Sequence, residues 1–481
     1  MINIWPQRIT QKRLRRFNLF MDIKIVFITL ITFSASLIIA QELPNEFFHY
    51  KKGKILNDGG ENWPSLSTFG PIRQSYNPNA INDSLNIHTR MGVIANQKAI
   101  AFYGYGHFSY KKNFYAYVYP RIVNDPSQFQ RFSGIARNIT RGGFSSGETD
   151  LSGIGFQNDW LIFQLGRGRQ SWGSGENIQL ALGEQSASYD YTLLGLDFGR
   201  IRARYFHGFL ETVDRSINRY ITARGVEWTN KKSIIIGLSE TVIYSGNNRP
   251  IDIGYLNPIS THLEIELNDR LNALGTGSAN AVWQLSIDWR PIDNVRISGN
   301  LLYDEFVLDK IQFEEGKENG KAYSAKVAFS PIKNDYHLFT VFMSTIFVGT
   351  PTFRHGSGYN NFVQRQKPLG WIYGSDGEEF SVGAHYFNRK NMIGTFTGGK
   401  RSLGDERITL RPYDQYEDYL AGPFPSGEIE EISFFTSEFQ WWWKKNLSII
   451  MHIHWESSNI HDKNTSLTMG LDMFFPKDFK L

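Results

Sequence analysis

The sequence contains no cysteine, and this absence sets the first limits on what the protein can be. Without cysteine, disulfide bonds, thiolate metal sites and a cysteine nucleophile are excluded. The phosphate-binding pattern GxxxxGK[ST] and the zinc-protease pattern HExxH are absent as well. We therefore expect stability to come from apolar burial and backbone pairing, and we expect neither a cofactor nor a metal.

An excess of charge of one sign is also missing once the N-terminus is set aside. Residues 1–40 hold six of the 51 basic residues and one of the 47 acidic residues, which leaves 45 basic against 46 acidic groups. A near-neutral chain lacks the basic footprint that attracts DNA or RNA. We expect no nucleic-acid partner.

Long hydrophobic runs are scarce, and the one that stands out lies near the N-terminus. Basic residues between Arg8 and Lys24 precede an apolar run from Ile25 to Ala40. This run is shorter than the roughly 20 apolar residues of a membrane-spanning helix, and its layout is typical of an export signal. We predict that residues 1–40 are a signal peptide, with Met21 as an alternative start. A retained N-terminal anchor is the competing interpretation.

After residue 40, no apolar run is long enough to cross a membrane as a helix, yet aromatic residues make up 15% of the chain. Inside lipid, only helices and closed β-barrels satisfy all of their own backbone groups. A membrane protein with this sequence therefore has to be a barrel. We expect one unit, in which an N-terminal segment, 41–84, leads into a barrel formed by 85–481.

Apolar and polar side chains alternate in many short segments of the C-terminal half, which indicates β-strands. Alternation alone does not decide whether the apolar face contacts a soluble core or lipid. The apolar faces of four such segments are Trp283, Leu285, Ile287 and Trp289; Phe339, Val341, Met343 and Phe347; Leu447, Ile449, Met451, Ile453 and Trp455; and Leu467, Met469, Leu471, Met473 and Phe475.

The connections between these segments favour the membrane interpretation. Tight turns at 291–294, 331–335 and 444–446 alternate with long connections near 306–321, 349–379 and 398–432. Short turns on one rim and long loops on the other are typical of outer-membrane barrels. At roughly 24 residues per strand and connection, the chain predicts about 18 antiparallel strands, with 16 to 20 acceptable. A soluble sandwich or propeller is the alternative fold.

A family resemblance is carried by four stretches whose order along the chain matters more than any one of them. The stretches are Gly166–Gly175, Tyr189–Tyr191 with Arg204–Gly208, Arg249–Pro258, and Tyr303–Phe306. Through them, the chain resembles the Wzi family of capsule-assembly proteins from about residue 45 to the C-terminus. The resemblance implies an outer-membrane barrel of about 18 strands, partly plugged by its own chain, that binds surface polysaccharide without catalysing a reaction.

The first of these stretches also has a chemistry of its own. Arg167 and Arg169 are two residues apart and would share one strand face, with Trp172 following a glycine-flanked bend. Guanidinium groups bind the carboxylates of acidic sugars in pairs of hydrogen bonds, and an indole can lie against a pyranose ring. The structural alternative is that the arginines pair with acidic residues across the lumen while Trp172 packs beneath a loop.

The same two interpretations apply to the other candidates for glycan binding. Asn257 also fits a turn, and Asp304 with Glu305 fits the end of a strand at the long-loop rim, where carboxylates are normally solvated. The complete candidate set is Arg167, Arg169, Gln170, Trp172, Asp190, Tyr191, Tyr255, Asn257, Asp304 and Glu305.

Catalytic interpretations have less support in the sequence. Residues 143–147 match the pattern GxSxG around Ser145, but a nucleophile elbow needs a strand before it and a helix after it. His207, His452 and His454 are the candidate bases, and no partner is fixed for them. His452, His454 and Glu456 would share a strand face and could hold a metal, but a polar lumen face is the expected pattern there. We expect no enzyme.

Three functions from different classes remain open at this point. The leading one is a surface-polysaccharide anchor with outer-membrane lipid and the barrel-assembly machinery as further partners. The second is a solute channel, and the third is an outer-membrane hydrolase that depends on Ser145. A surface protein for adhesion or gliding is a further alternative to the first.

Overall fold

In the computed structural model, the described residues are 46–61, 63, 66–70, 85–111, 113–129, 131–137, 142–268, 270, 279–304, 314, 316, 318–416 and 422–480. The predicted signal peptide, 1–40, lies outside this range. Among these residues, no helix combines the length and the apolar character that crossing a membrane requires.

Eighteen antiparallel strands form one closed barrel, as the sequence predicted. Each strand pairs with its neighbours along the chain, and the first strand pairs with the last, so the sheet has no free edge. The strands are β1 Leu85–Asn96, β2 Ile100–Tyr110, β3 Phe114–Val123, β4 Ser146–Gln157, β5 Leu161–Gly168, β6 Tyr189–Asp197, β7 Ile201–Val213, β8 Ile217–Thr229, β9 Ile234–Asn247, β10 Ala279–Ile292, β11 Val295–Asp304, β12 Gly320–Lys333, β13 Leu338–Val348, β14 Gly377–Phe387, β15 Met392–Leu403, β16 Glu430–Lys444, β17 Leu447–Ser458 and β18 Asn464–Lys480.

The two rims of the barrel differ sharply in the length of their connections. On one rim, every connection has two to four residues, such as 293–294, 334–337 and 445–446. The opposite rim carries all the long connections, including 124–145, 169–188, 248–278, 349–376 and 404–429. The predicted alternation of short turns and long loops is confirmed. By the rule for outer-membrane barrels, the long-loop rim faces the outside of the cell.

Strand alternation separates an apolar outer face from a polar lumen. On β18, Leu467, Leu471 and Met473 are exposed outward, while Asp472 and Phe474 are buried inside. Trp283 and Trp289 of β10 share the outward face, as predicted. An apolar outer wall of this kind is stable only against lipid. The chain is thus an outer-membrane β-barrel.

Inside the barrel, the N-terminal segment fills the end that lies near the short turns. Helix α1, Glu46–Asp58, ends on a buried carboxylate that contacts three strands. Asp58 lies 2.5 Å from the amine of Lys326, 3.1 Å from His385 and 3.3 Å from Arg296. Burial opposes its ionisation, but Lys326, His385 and Arg296 together hold the pKa of Asp58 well below its usual range. These ion pairs fix α1 to the inner wall.

Long connections fill the adjoining part of the lumen from the other rim. Segments 169–188 and 349–376 pack against lumen-facing residues of the wall, and a short ribbon, Val363–Gln364 with Lys367–Pro368, lies among them. We call this region the filled part of the lumen. Its core consists of buried residues that include Trp172, Ile178, Leu180, Leu182, Tyr191, Leu193, Phe206, Phe353, Phe362, Leu369, Trp371 and Ile408. Loops that plug the lumen were predicted, and the structure confirms them.

Candidate functional site

The glycine-rich motif at 166–175 is where a long connection turns into the lumen. Strand β5 ends at Gly168, and Gly173 and Gly175 both have positive φ, at 126° and 78°. Between them, the backbone N–H of Ser174 donates to Oδ1 of Asn300 on the far wall (2.7 Å). Glycine is needed at such positions because side chains rarely tolerate this backbone conformation. The motif therefore builds the plug of the lumen.

Arg167 is the last charged residue of β5 and lies at the rim of long connections. Its guanidinium donates to Asp190 of β6 (2.8 Å) and also to Glu148 of β4. The side chain of Asp190 remains largely exposed, whereas Arg167 is mostly covered. Solvent therefore reaches Asp190, while Arg167 is held mainly by its acidic partners.

Arg169 does not share a strand face with Arg167, because β5 ends between them. Its buried guanidinium donates to the carbonyls of Ser186 and Arg131 and to the hydroxyl of Ser133. Burial lowers the pKa of Arg169 to about 10. This part of the prediction was wrong, and the two arginines have separate partners.

The neighbouring candidates lie in the filled part of the lumen. The backbone N–H of Gln170 donates to the hydroxyl of Tyr189 (3.3 Å). Trp172 is 2% exposed and packs against Phe69 and Phe206. Tyr191 is buried, and its hydroxyl accepts from Gln164 (2.9 Å). These residues therefore support the packing of the plug.

Two candidates belong to the long connection between β9 and β10. Tyr255 is fully buried, and its hydroxyl is 2.7 Å from Nδ1 of His262. Asn257 follows helix α2, Ile253–Leu256, and its side chain accepts from the N–H of Ile259. The alternative interpretation of Asn257 as a turn former therefore agrees with the structure.

Asp304 ends β11 at the long-loop rim, as the sequence indicated. It is not solvated, however, because its buried carboxylate accepts from the backbone N–H of Phe353. The long connection 349–376 folds over it, and sequence spacing does not reveal such a contact. Glu305 lies outside the described residues.

The residues weighed for catalysis do not assemble into a reactive site in the described part of the chain. The hydroxyl of Ser145 donates to the carbonyl of Asn124, and strand β4, not a helix, follows it. His452 and His454 share the lumen face of β17 with Glu456. The nearest acidic atoms are 3.9 Å from His452, on Glu438, and 3.3 Å from His454, on Glu456. Within the described ranges, no group of three metal-ligating side chains is placed to hold an ion.

A cavity of about 350 Å³ remains beside the filled part of the lumen. Its walls come from both sides of the seam at which β18 meets β1, and Phe129 contributes from the connection 124–145. We call this space the seam cavity. The polar and aromatic residues that line it are Arg90, Asn96, Tyr103, Tyr119, Arg121, Ser127, Gln128, Phe129, Glu438, Gln440, Trp442, His452, Thr468 and Asp472.

The floor of the seam cavity is a tightly bonded layer. Arg90 donates to the hydroxyl of Tyr103 (2.8 Å), which itself donates to Asp472 (2.7 Å). The Arg90 guanidinium also lies over the ring of Phe474, 3.8 Å from its centroid. Buried Trp442 completes this layer. Ser127 and Phe129 of the connection 124–145 line the other end of the cavity, and Ser127 is exposed, so the cavity opens toward the rim of long connections.

The side walls of the seam cavity offer two kinds of surface. One wall includes Tyr103 and Tyr119, which are only 6% and 3% exposed and whose ring centroids are 5.8 Å apart. The partly exposed ring of Phe129 also lines the cavity. Glu438, Gln440 and His452 lie on the opposite wall with partly exposed side chains. Sequence reasoning singled out only His452 of this set. Glu438 and Gln440 lie on the neighbouring strand of the same hairpin, whereas Tyr103 and Tyr119 are distant in sequence and reach this cavity only through closure of the barrel.

Comparison with solved structures identifies the fold. No protein-family model and no curated protein matches the sequence. The chain is similar to Wzi of Escherichia coli, described as an outer-membrane protein involved in group 1 capsule assembly and as a carbohydrate-binding β-barrel. The TM-score is 0.59 over 92% of this chain and 100% of Wzi, at 9% identity. The chain has the Wzi fold.

Two porins of Pseudomonas aeruginosa match less well than Wzi. OccK9 has a TM-score of 0.44 at 10% identity, over 82% of this chain and 98% of its own. OprD has a TM-score of 0.43 at 9% identity, over 82% and 95%. At these identities, the likeness to Wzi establishes the fold alone. The resemblance in the sequence is thereby confirmed for the architecture and for the outer-membrane location.

Proposed function

We propose that the protein binds surface polysaccharide at the outer membrane and helps to attach or assemble it there. The observation that carries the proposal is the seam cavity, which opens outward beside a lumen that the chain itself fills. The solved barrel of the same fold, Wzi, is described as carbohydrate-binding. The proposal involves no catalytic step, and the barrel-assembly machinery remains an expected partner during biogenesis.

The seam cavity has the surfaces that a sugar requires. An aromatic ring such as that of partly exposed Phe129 can pack against the apolar side of a pyranose ring. Carboxylate, amide and imidazole groups, here Glu438, Gln440 and His452, exchange hydrogen bonds with hydroxyl groups. A volume of about 350 Å³ lies at the lower end of ligand pockets. It suits a chain end or a short branch of a glycan.

The residues predicted from the motif keep a role in this proposal at the outer rim. Arg167 and Asp190 lie where a polysaccharide chain would approach from outside. The buried members, among them Arg169, Trp172 and Tyr255, would act by holding the loops that present this rim. Their contribution to glycan binding remains a prediction.

A solute channel is the second candidate, and one observation favours it. Lumen-facing His452, His454 and Glu456 are each more than a quarter exposed, so water reaches this part of the lumen. The floor formed by Arg90, Tyr103 and Asp472 opposes it, because these side chains are buried and hydrogen-bonded to one another. Ion conductance in planar bilayers separates the two functions.

The primary test compares cell-bound with released polysaccharide in a strain lacking the gene and in complemented strains. We expect loss of the gene to release polysaccharide while total synthesis stays normal. Complementation with Glu438→Ala should restore no more than half of the retained material, because a wall of the seam cavity loses its carboxylate. Glu456→Ala is the matched control, since it removes a partly exposed glutamate that does not line the cavity.

One result would overturn the proposal, and a second would move its binding site. Equal retention in the deletion and complemented strains would remove the anchor function, and steady conductance would then support the channel. Full retention with Glu438→Ala, together with reduced retention for Arg167→Ala, would move the binding surface from the cavity to the rim.

A further inference from the structure

One long connection lies on the outside of the barrel and not over its mouth. Residues 249–268, between β9 and β10, include helices α2 and α3, the latter His262–Leu267. The plug contacts one face of β8 and β9, since Thr68 bonds Glu227 and lies against Gly237. Residues 249–268 contact the opposite face of these strands, which is the outer wall. We call this segment the outer-wall segment.

The wall beneath the outer-wall segment is unusually polar for a lipid-facing surface. Strand register places Tyr205 and His207 of β7, Arg224 of β8 and Glu240 of β9 on the outward face. All of them are buried, and Nε of Arg224 lies 3.4 Å from Glu240. A charged side chain exposed to lipid destabilises a barrel, most strongly near the bilayer midplane. This patch therefore needs a cover.

The outer-wall segment forms hydrogen bonds and ring contacts with the polar residues of this patch. The backbone N–H of His262 donates to Glu240 (2.9 Å), and Arg224 donates to the carbonyl of Asn257 (3.3 Å). The hydroxyl of Tyr205 donates to the carbonyl of Tyr255 (2.9 Å). The ring of Tyr255 stacks on Tyr244 at 4.7 Å, and Tyr244 stacks on Tyr220 at 5.0 Å. These contacts fix the segment along the wall.

The opposite side of the same segment exposes five large apolar side chains, together with the charged side chains of Glu264 and Glu266. Ile253 is 70% exposed and Ile259 is 85% exposed, and Ile251, Leu256 and Leu263 are exposed with them. Large exposed apolar patches mark contacts with lipid or protein. Closer to the rim of short turns, Val226 of β8, Leu238 of β9 and Leu285 of β10 point outward. These side chains are exposed and belong to the lipid-facing wall. The apolar face of the segment continues this wall toward the long-loop rim.

We propose that the outer-wall segment lies in the outer leaflet of the membrane, with Ile253 and Ile259 among the acyl chains of the lipid. Its inner side shields the Arg224–Glu240 pair from the bilayer, and its outer side takes over the lipid contact. The occupant of this surface is lipid, because the surface is continuous with the barrel wall that lipid already covers. This inference does not depend on glycan binding.

The absence of cysteine makes the test direct, since any cysteine introduced is the only one in the chain. Ile253→Cys and Ile259→Cys would each carry a fluorescent label in the full barrel, reconstituted in lipid vesicles. Quenching by brominated lipid is compared with quenching by iodide in water. Leu238→Cys on the barrel wall is the lipid control, and Leu410→Cys, exposed on the connection 404–429, is the water control.

We expect labels at 253 and 259 to be quenched by brominated lipid within about twofold of the label at 238, and by iodide several-fold less than the label at 410. Iodide quenching equal to that at 410 would place the segment in water and overturn the proposal. Protection from both quenchers, with disulfide-linked dimers of Ile253→Cys, would also overturn it, because a second copy would then be the occupant. Heat-modifiable migration on gels confirms that each variant has formed its barrel.

Discussion

The filled part of the lumen and the seam cavity use the same residue types in opposite ways. In the filled part, Arg219 has no exposed surface, and its guanidinium donates to Glu211 and to three backbone carbonyls. In the seam cavity, Glu438 and His452 face each other at 3.9 Å, with about 30% of each side chain exposed. The first arrangement holds a plug in place, and the second leaves polar groups within reach of a ligand.

This difference shows why charge alone is a poor guide to function in a barrel lumen. A buried charge is costly unless it is paired and hydrogen-bonded, so a charged residue beneath a plug must have partners. Arg169 and Asp58 meet this requirement. A partly solvated charge has no such requirement, and it can exchange water for a ligand at small cost. Accessibility separates the two classes.

The largest effect should come from breaking an ion pair in the filled part. Asp58→Asn leaves Lys326 and Arg296 with a weaker buried partner, and breaking a buried pair costs about 3–5 kcal/mol. We expect the free energy of unfolding to fall by that amount in urea titrations of the barrel in lipid vesicles. Glu456→Gln is the control, and a change equal to its small effect would show that α1 is held by other contacts.

The same residue predicts a dependence on acid. Because the pKa of Asp58 is held well below its usual range, its contribution is fully present above the unfolded value of about 3.9. The contribution is lost as pH falls below about 4 toward the lower folded value. The stability difference between the native protein and Asp58→Asn should therefore shrink between pH 7 and pH 3, and a difference that stays constant would contradict the assignment.

Substitution of the two arginines in the glycine-rich motif should distinguish a structural role from direct contact with glycan. Arg169→Ala removes a buried donor from Ser186 and Ser133, and such losses cost about 1–3 kcal/mol. Arg167→Ala, at the rim, should cost less than about 1 kcal/mol. Thermal unfolding measures both. Reduced glycan retention with an unchanged melting temperature for Arg167→Ala would support direct contact with glycan.

The smallest effect on stability is expected in the seam cavity. Glu438→Gln changes a partly exposed group, and substitutions of this kind usually stay within about 0.5 kcal/mol. Urea titration should show no clear shift, while binding of purified polysaccharide weakens. A large loss of stability would mean that Glu438 belongs to the frame of the barrel, as Asp58 does.

Strand alternation and loop lengths were readable in the sequence because both follow from local geometry. On any β-strand, Leu467, Leu471 and Met473 lie on the same face, because alternate side chains point to the same side. The direction in which Arg169 and Asp304 point was not readable, because connections that fold back into the lumen decide it. Gln170 and Trp172 came from the motif, yet their burial depends on segments far along the chain.

The sequence by itself determined the class of fold, since a chain without spanning helices but with alternating strands can cross a membrane only as a closed barrel. It also limited the number of strands to about 18, within 16 to 20, and predicted that the long connections share one rim. The tertiary structure alone decided which polar residues became buried supports and which remained accessible. Closure brings β18 beside β1, the plug enters the lumen, and the outer-wall segment turns outward, and each of these contacts joins residues that local sequence does not relate.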